Sequence, residues 1–249
     1  MFLYTQTLQL KKTLQPKMTA EELQSGHIFL LDKPLDWTSF QAVNKLKYKL
    51  KREFPELPKK FKIGHAGTLD PRATGLLIVC TGKFTKRIPE IQDAPKEYWT
   101  EIKIGVQTES YDTEKPEILP ADYSHITEVQ IQEILAKFIG EIDQKPPVFS
   151  ALKIDGKRAY DLARAGTEVE MKSRKTTIHY LNDIEINLPL VSFTVGCSKG
   201  TYIRSLAHDI GQELGVGAYL TQLRRTKIGN YSVNDATADF INDDYKLSE

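Results

Sequence analysis

One carboxylate in the sequence is placed as a reactive group would need to be. Asp70 precedes Pro71, whose ring keeps the residue before it out of the helical region and holds it extended. The surrounding stretch, GHAGTLDPRATG over residues 64–75, is punctuated by Gly64, Gly67 and Gly75, which let a backbone turn sharply and approach a ligand closely. His65 lies just upstream. An ionised Asp presented in this way can attack as a nucleophile or withdraw a proton as a base. The plain alternative is an Asp-Pro turn ahead of a core strand. A second candidate is Gly200-Thr201-Tyr202-Ile203-Arg204. A strand enters, glycine turns it, and Arg204 falls in the first turn of a helix, where a cation opposes the helix dipole. Such an Arg is either simply exposed or has a specific anionic partner. Leu223-Arg224-Arg225 with Lys227, a short basic cluster, is a third candidate, and its plain alternative is a solvated surface.

Other chemistry is excluded by what is missing. Gly82-Lys83-Phe84 is no phosphate-binding loop, because Phe84 replaces the required hydroxyl residue and the upstream glycine is absent. Gly215-Val216-Gly217 lacks the third glycine of a dinucleotide fingerprint. Ser150-Ala151-Leu152-Lys153 matches the Ser-x-x-Lys of acylating hydrolases, but the companion Ser-Asp-Asn and Lys-Thr-Gly elements are absent. His27, His65, His125, His179 and His208 are scattered without Cys partners at ligand spacing, so no zinc is expected.

The elements that must position these residues follow from pattern. Residues 1–24 read as a loose leader, and Ile28–Leu31 as the first strand. Ser39 can cap a helix with Phe40, Val43, Leu46 and Leu50 on its apolar face and a lysine-rich stripe on the other. The 64–75 loop leads into a strand over Leu76–Cys80. A further strand, Tyr98–Ile104, puts Tyr98, Thr100, Ile102 and Ile104 on one face. Thr127 and Gln130 fit a capping box opening a helix with Val129, Ile131, Ile134, Leu135 and Phe138. Pro146-Pro147 opens the segment PPVFSALKIDGKRAYDLARAG, which closes with a short helix ending at Gly166. Strands are expected at Thr177–Ile186 and Leu190–Cys197, then a helix carrying Ile203, Leu206, Ala207, Ile210 and Leu214 and stopping at Gly215. The mixture has no regular βαβ rhythm, which favours α+β.

The chain has 249 residues, 40% hydrophobic and 27% charged, enough apolar material for a sizeable core. No apolar run approaches membrane-spanning length. Cys80 and Cys197 are too few for a disulfide scaffold and read as buried reduced thiols of a cytoplasmic protein. The formal charge of +1 hides asymmetry: residues 45–62 carry +6 and residues 107–143 carry −7. A local basic face can attract phosphates while the total stays near zero.

The motifs GHIFLLDKPLDWTSF, GHAGTLDPRATGLLIVCTGKFTK, KEYW, GVQTESYDTE, PPVFSALKIDGKRAYDLARAG, CSKGTYIRSLAHDIG and LRRTKIG resemble, in order, those of the TruB family of tRNA pseudouridine synthases, the enzymes of pseudouridine 55 in the T-arm. The resemblance covers roughly residues 26–237. It implies a pseudouridine synthase fold, a mixed and largely antiparallel sheet flanked by helices with the catalytic cleft across its middle. Asp70 then matches the essential aspartate, Tyr98 the tyrosine that stacks on the target base, and Arg204 the arginine that pairs with the catalytic carboxylate. His65 matches a histidine that contacts RNA beside the extruded nucleotide. Lys86, Asp112 and Leu223 match positions lining or supporting the pocket.

The same resemblance implies a tRNA T-arm substrate, no cofactor, no metal, no obligatory protein partner and action as a monomer in the cytoplasm. Residues 25–249 are expected to form one catalytic domain. The C-terminal PUA domain of many members is expected to be missing, with the basic helix over 40–52 carrying more of the RNA grip. The rival reading from another class is a non-catalytic RNA-binding module of the same fold.

Overall fold

A computed structural model describes residues 18–150, 152–154, 156–160 and 171–236. Residues 1–17 of the expected leader and the helix expected to end at Gly166 lie outside the described residues. The first described helix, α1 (Ala20–Ser25), is capped by Thr19, whose side chain accepts the Glu22 N–H while Glu22 accepts the Thr19 N–H. Leu23 is fully buried. From Thr19 onward the expected loose leader is therefore a helix docked on the core.

The chain continues through β1 (Ile28–Lys33), α2 (Ser39–Glu53), β2 (Ile63–His65), β3 (Ala73–Thr81), α3 (Ile88–Asp93) and β4 (Lys96–Ile104). A two-stranded ribbon, β5 (Gln107–Thr108) with β6 (Glu117–Ile118), precedes α4 (Glu128–Lys137) and β7 (Gly140–Gln144). A second ribbon pairs β8 (Lys153–Ile154) with β9 (Lys157–Arg158). The C-terminal part holds β10 (Arg174–Asn187), β11 (Leu190–Cys197), α5 (Ile203–Glu213), β12 (Ala218–Ile228) and β13 (Tyr231–Ser232).

One sheet organises the molecule, in the order β1-β3-β12-β4-β11-β10-β7, with β2 added to β3 and β13 to β12. β12 runs parallel to β3, and the other described pairings of this sheet are antiparallel. The expected α+β class and mixed, largely antiparallel sheet are what the chain adopts. β12 is the joint: it sits between β3 and β4 and brings residues distant in sequence into one surface.

The unbroken apolar run in β3 is explained by burial on both faces. Leu77 and Val79 join the cluster beneath α2 with Leu46, Leu50 and Phe54, whereas Leu76, Ile78 and Cys80 meet Ile91, Ile228 and Val233. The third cluster packs Ile131 and Leu135 of α4 and Leu206 and Ile210 of α5 on Ile102 and Phe193 of the sheet. The expected alternation in β11, with Val191, Phe193, Val195 and Cys197 inward, is observed. Each such fully buried side chain contributes about 1.5–3 kcal/mol.

Two helix faces differ from expectation. In α2 the buried stripe is Ala42, Val43, Leu46, Lys49 and Leu50, and Phe40 is 69% exposed. At 100° per residue Phe40 lies about 120° from the middle of that stripe, out of reach of the sheet. In α4 the cap is as expected, Thr127 with Gln130, but Val129 is 62% exposed because Ile131 and Leu135 define the inner face. Thr38, rather than Ser39, caps α2, with Gln41 completing the box. That frees Ser39 for a contact at the site.

Candidate active site

The loop carrying Asp70 is held along its length by groups from elsewhere. Ser39 donates its hydroxyl to the Leu69 carbonyl (3.0 Å) and accepts the Leu69 N–H (2.8 Å). Lys33, fully buried, donates through Nζ to the carbonyls of Pro34 (2.8 Å), Trp37 (2.7 Å) and Pro71 (3.5 Å). Burial pulls its ammonium down to about 8, against the attraction of Asp70. Asp36, in left-handed backbone at φ 63°, donates its N–H to the Pro71 carbonyl and accepts Arg72 at 2.7 Å. Gly75 is required at its place in β3. A Cβ there would come within 2.3 Å of the Arg225 carbonyl oxygen, and its φ is 99°. Gly67 likewise has φ 100°, while Gly64 lies in the extended strand β2.

Arg204 has the specific anionic partner that its position in the first turn of α5 left open. Its Nη2 lies 2.9 Å from Asp70 Oδ2 and its Nη1 3.6 Å from Asp112 Oδ2. Nη1 also donates to the carbonyls of Ser110 (3.3 Å) and Phe149 (3.0 Å). The guanidinium is 5% exposed and the Asp70 carboxylate 41% exposed, so the fixed cation sits behind a carboxylate that faces the cleft. No side chain of α5 caps its start. Gln144 from β7 does so instead, accepting the Tyr202 N–H at 2.8 Å and donating to the Tyr202 carbonyl at 3.1 Å.

Asp70 opens onto a cleft of about 410 Å³ at the junction of β3, β12 and β4. Tyr98 and Lys96 from β4, Leu223 and Arg225 from β12, and Arg174, Tyr202 and Arg204 from the far wall line it. Burial raises the Tyr98 hydroxyl above its ordinary value, and neighbouring Arg225 opposes the rise. Arg225 is the main residue that sequence reasoning missed. Named only within the basic cluster and not as a site residue, it is 1% exposed and donates to the carbonyls of Leu76 (2.8 Å), Gly67 (3.0 Å) and Thr68 (3.5 Å). Its neighbour Arg224 pairs through both terminal nitrogens with Asp32 on β1, at 2.9 and 2.6 Å. The clue available in the sequence was Leu220 to Ile228, a run with strand propensity that the two arginines obscured.

The remaining expected residues divide. Leu223 lines the cleft, and Asp112 stands behind Arg204, fully buried apart from a 3% remnant, its Oδ1 accepting the Glu114 N–H. His65 is not in the cleft wall. It sits on β2, where burial and then Arg225 lower its imidazole below the ordinary value. Lys86 lines a separate groove of about 320 Å³ with Lys60, Lys62 and Lys83. The lysine stripe of α2 is not the free face expected of it: Lys49 is buried, and Lys51 donates to the Lys59 carbonyl at 2.9 Å. Among the described residues no three of His, Cys, Asp or Glu converge as metal ligands.

On the same helix as Arg204, Asp209 lies half-buried near the Tyr111–His208 ring stack, without an ion-pair partner among the described residues. Burial pushes its carboxyl from the ordinary 3.8 up to about 6. A folded-state value above the unfolded one means that its charge destabilises the fold above pH 6 and not below pH 4. Asp209→Asn is expected to stabilise the protein at pH 7.5 by about 1–2 kcal/mol, allowing for solvent screening. The gain should vanish at pH 4 in parallel denaturant titrations. A gain of the same size at both pH values would refute this origin.

Comparison with known proteins bears on this site. Residues 52–203 match the family model for TruB family pseudouridylate synthase (N terminal domain), and residues 204–249 match that for the tRNA pseudouridylate synthase B C-terminal domain. The boundary falls inside α5, whose continuation packs on β12 within the same sheet. The chain is 59% identical over 221 residues to tRNA pseudouridine synthase B of Flavobacterium johnsoniae, covering 88% of this chain and 95% of that one. It is 52% identical over 210 residues to that of Parabacteroides distasonis, covering 84% and 88%. Among solved structures it resembles a chain of a Cbf5-Nop10-Gar1 complex, with a TM-score of 0.64 and 33% identity, covering 87% of this chain and 53% of that one. The chain thus spans about half the length of that solved relative.

Proposed function

The chain belongs to the TruB family of pseudouridylate synthases, and we propose that Asp70 is the carboxylate with which it acts and that its target is the uridine at position 55 in the T-arm loop. Its activity is the isomerisation of uridine to pseudouridine in tRNA. The reaction breaks the bond from C1′ to N1 and joins C1′ to C5. The C5 proton is lost and N1 gains one, so nothing enters or leaves overall and no redox cofactor or ATP is called for. The Asp70–Arg204 pair carries the assignment. A buried guanidinium fixed by a second carboxylate and two carbonyls stabilises negative charge on a carboxylate open to the cleft. An ionised carboxylate there serves as nucleophile on the ribose or as base toward a sugar proton.

The base must leave its stack to reach Asp70, at a cost of a few kcal/mol that a compact hairpin loop reduces. Tyr98 offers a flat face, and stacking of this kind contributes about 1–3 kcal/mol per base. We assign its hydroxyl, which burial raises above its ordinary value, a part in moving the C5 proton. Tyr98→Phe is therefore expected to hold RNA affinity within about twofold while slowing product formation by about a hundredfold. Unchanged turnover would confine Tyr98 to stacking. The functional reading is tested by tritium release from 5-tritiated uridine in a T-arm transcript, with carbodiimide mapping of the product. Release expected from the complete hairpin should be absent from one lacking only the position-55 uridine, and equal release from both would overturn the target. We place the protein in the cytoplasm beside its tRNA, acting as a monomer without an obligatory protein partner.

A further inference from the structure

Four cations line the cleft, Lys96, Arg174, Arg204 and Arg225, against one acid, Asp70. Three are committed. Arg204 holds two carboxylates, Arg225 holds three carbonyls, and Lys96 donates to the carbonyls of Gln92 and Ala94. Arg174, the first residue of β10, differs. One terminal nitrogen donates to the Gly200 carbonyl, and the Nε–H has no acceptor among the described residues. The guanidinium lies over the ring of Tyr202, its carbon 4.8 Å from the ring centroid. Tyr202 in turn is held by Gln144 at the start of the helix that carries Arg204. The contact sets the Arg174 guanidinium against the wall that also holds Asp70's partner. Ser150 in the same lining has a buried hydroxyl that is likewise without a partner. A cleft lined by more cations than acids among the described residues is completed by a ligand rich in anionic oxygens.

We propose that Arg174 is the phosphate contact of the cleft, its guanidinium, set over the Tyr202 ring, pairing with a backbone phosphodiester beside the nucleotide delivered to Asp70. This rests on the reading of the protein as an RNA-modifying enzyme and adds a residue that neither the motifs nor the family comparisons single out. The planar fork suits a phosphate, the charge is sequence-independent, and the contact positions the chain rather than reading a base.

The test compares wild type, Arg174→Gln and Arg174→Lys for affinity to the T-arm hairpin between 50 and 300 mM KCl, with single-turnover rates at saturating RNA. The Gln variant keeps a flat amide without charge, and the Lys variant keeps charge without the flat fork. For a phosphate contact, the Gln variant loses about tenfold in affinity at low salt, and its slope of log K against log salt falls by about 0.7–0.9. The Lys variant keeps the wild-type slope with intermediate affinity, and both retain single-turnover rates within about threefold. A Gln variant with unchanged slope overturns the proposal, as does an equal loss of rate in both variants at saturating RNA, which is the signature of a packing role. Should the Gln variant not fold, a Lys variant that alters the slope overturns it equally. Tritium release by the wild type on the same hairpin separates the two claims: its absence defeats the functional reading, whereas release with an unchanged Gln slope defeats only the role of Arg174.

Discussion

Asp70→Asn should fold normally, bind the T-arm hairpin within a few-fold of wild type, and isomerise it at least about a thousandfold more slowly. The side chain is partly exposed, so an isosteric amide leaves no buried charge without a partner. Arg204 keeps Asp112 and the Ser110 and Phe149 carbonyls, and Ser39 and Lys33 still pin the loop through its main chain. What is lost is the negative charge at the mouth of the cleft, and with it the nucleophile or base that we propose for Asp70. Tritium release measured alongside hairpin affinity distinguishes this from misfolding. An Asn variant that turns over at wild-type speed would remove the basis for every assignment made around it.

Arg204→Ala should lose turnover far more than RNA affinity, and it should also lose stability. Removing a guanidinium that is 5% exposed leaves Asp112 as a buried carboxylate without its cation and strips a donor from two carbonyls. Breaking a buried pair from one side typically costs about 3–5 kcal/mol. The conservative variant separates the two losses. Arg204→Lys restores a cation but not a fork able to reach Asp70 and Asp112 together, so its melting temperature should recover much of the difference while its turnover stays about a hundredfold low. Equal losses of binding and turnover in both variants would mean that Arg204 grips RNA rather than supporting Asp70.

Local devices were legible in the residues that form them. Thr127 and Gln130 cap α4 because both partners of the box lie within one turn. The alternation of Val191, Phe193, Val195 and Cys197 becomes the inner face of β11, and Gly215 ends the helix at φ 75°. The Asp70 loop was legible as a presentation device through its glycines and Asp-Pro step. The departures share one origin. Phe40 and Val129 are apolar and so expected inward, yet which third of a helix faces inward is set by the sheet beneath it. Ser39 is a cap by residue type, but Thr38 fills that role and Ser39 reaches Leu69, 30 residues away.

Order along the chain thus determined the presentation loop that carries Asp70, the caps and strand faces, and the membership in a family whose motifs occur in sequence. Only the folded chain decided how charge is buried. Arg225 lies inside because its acceptors on Leu76, Thr68 and Gly67 stand 149 to 158 residues away. Lys33 is interior because carbonyls of two loops converge on it. A charged side chain leaves water only where hydrogen-bonding groups replace the lost hydration, and those groups are assembled by tertiary contacts rather than by neighbours in sequence.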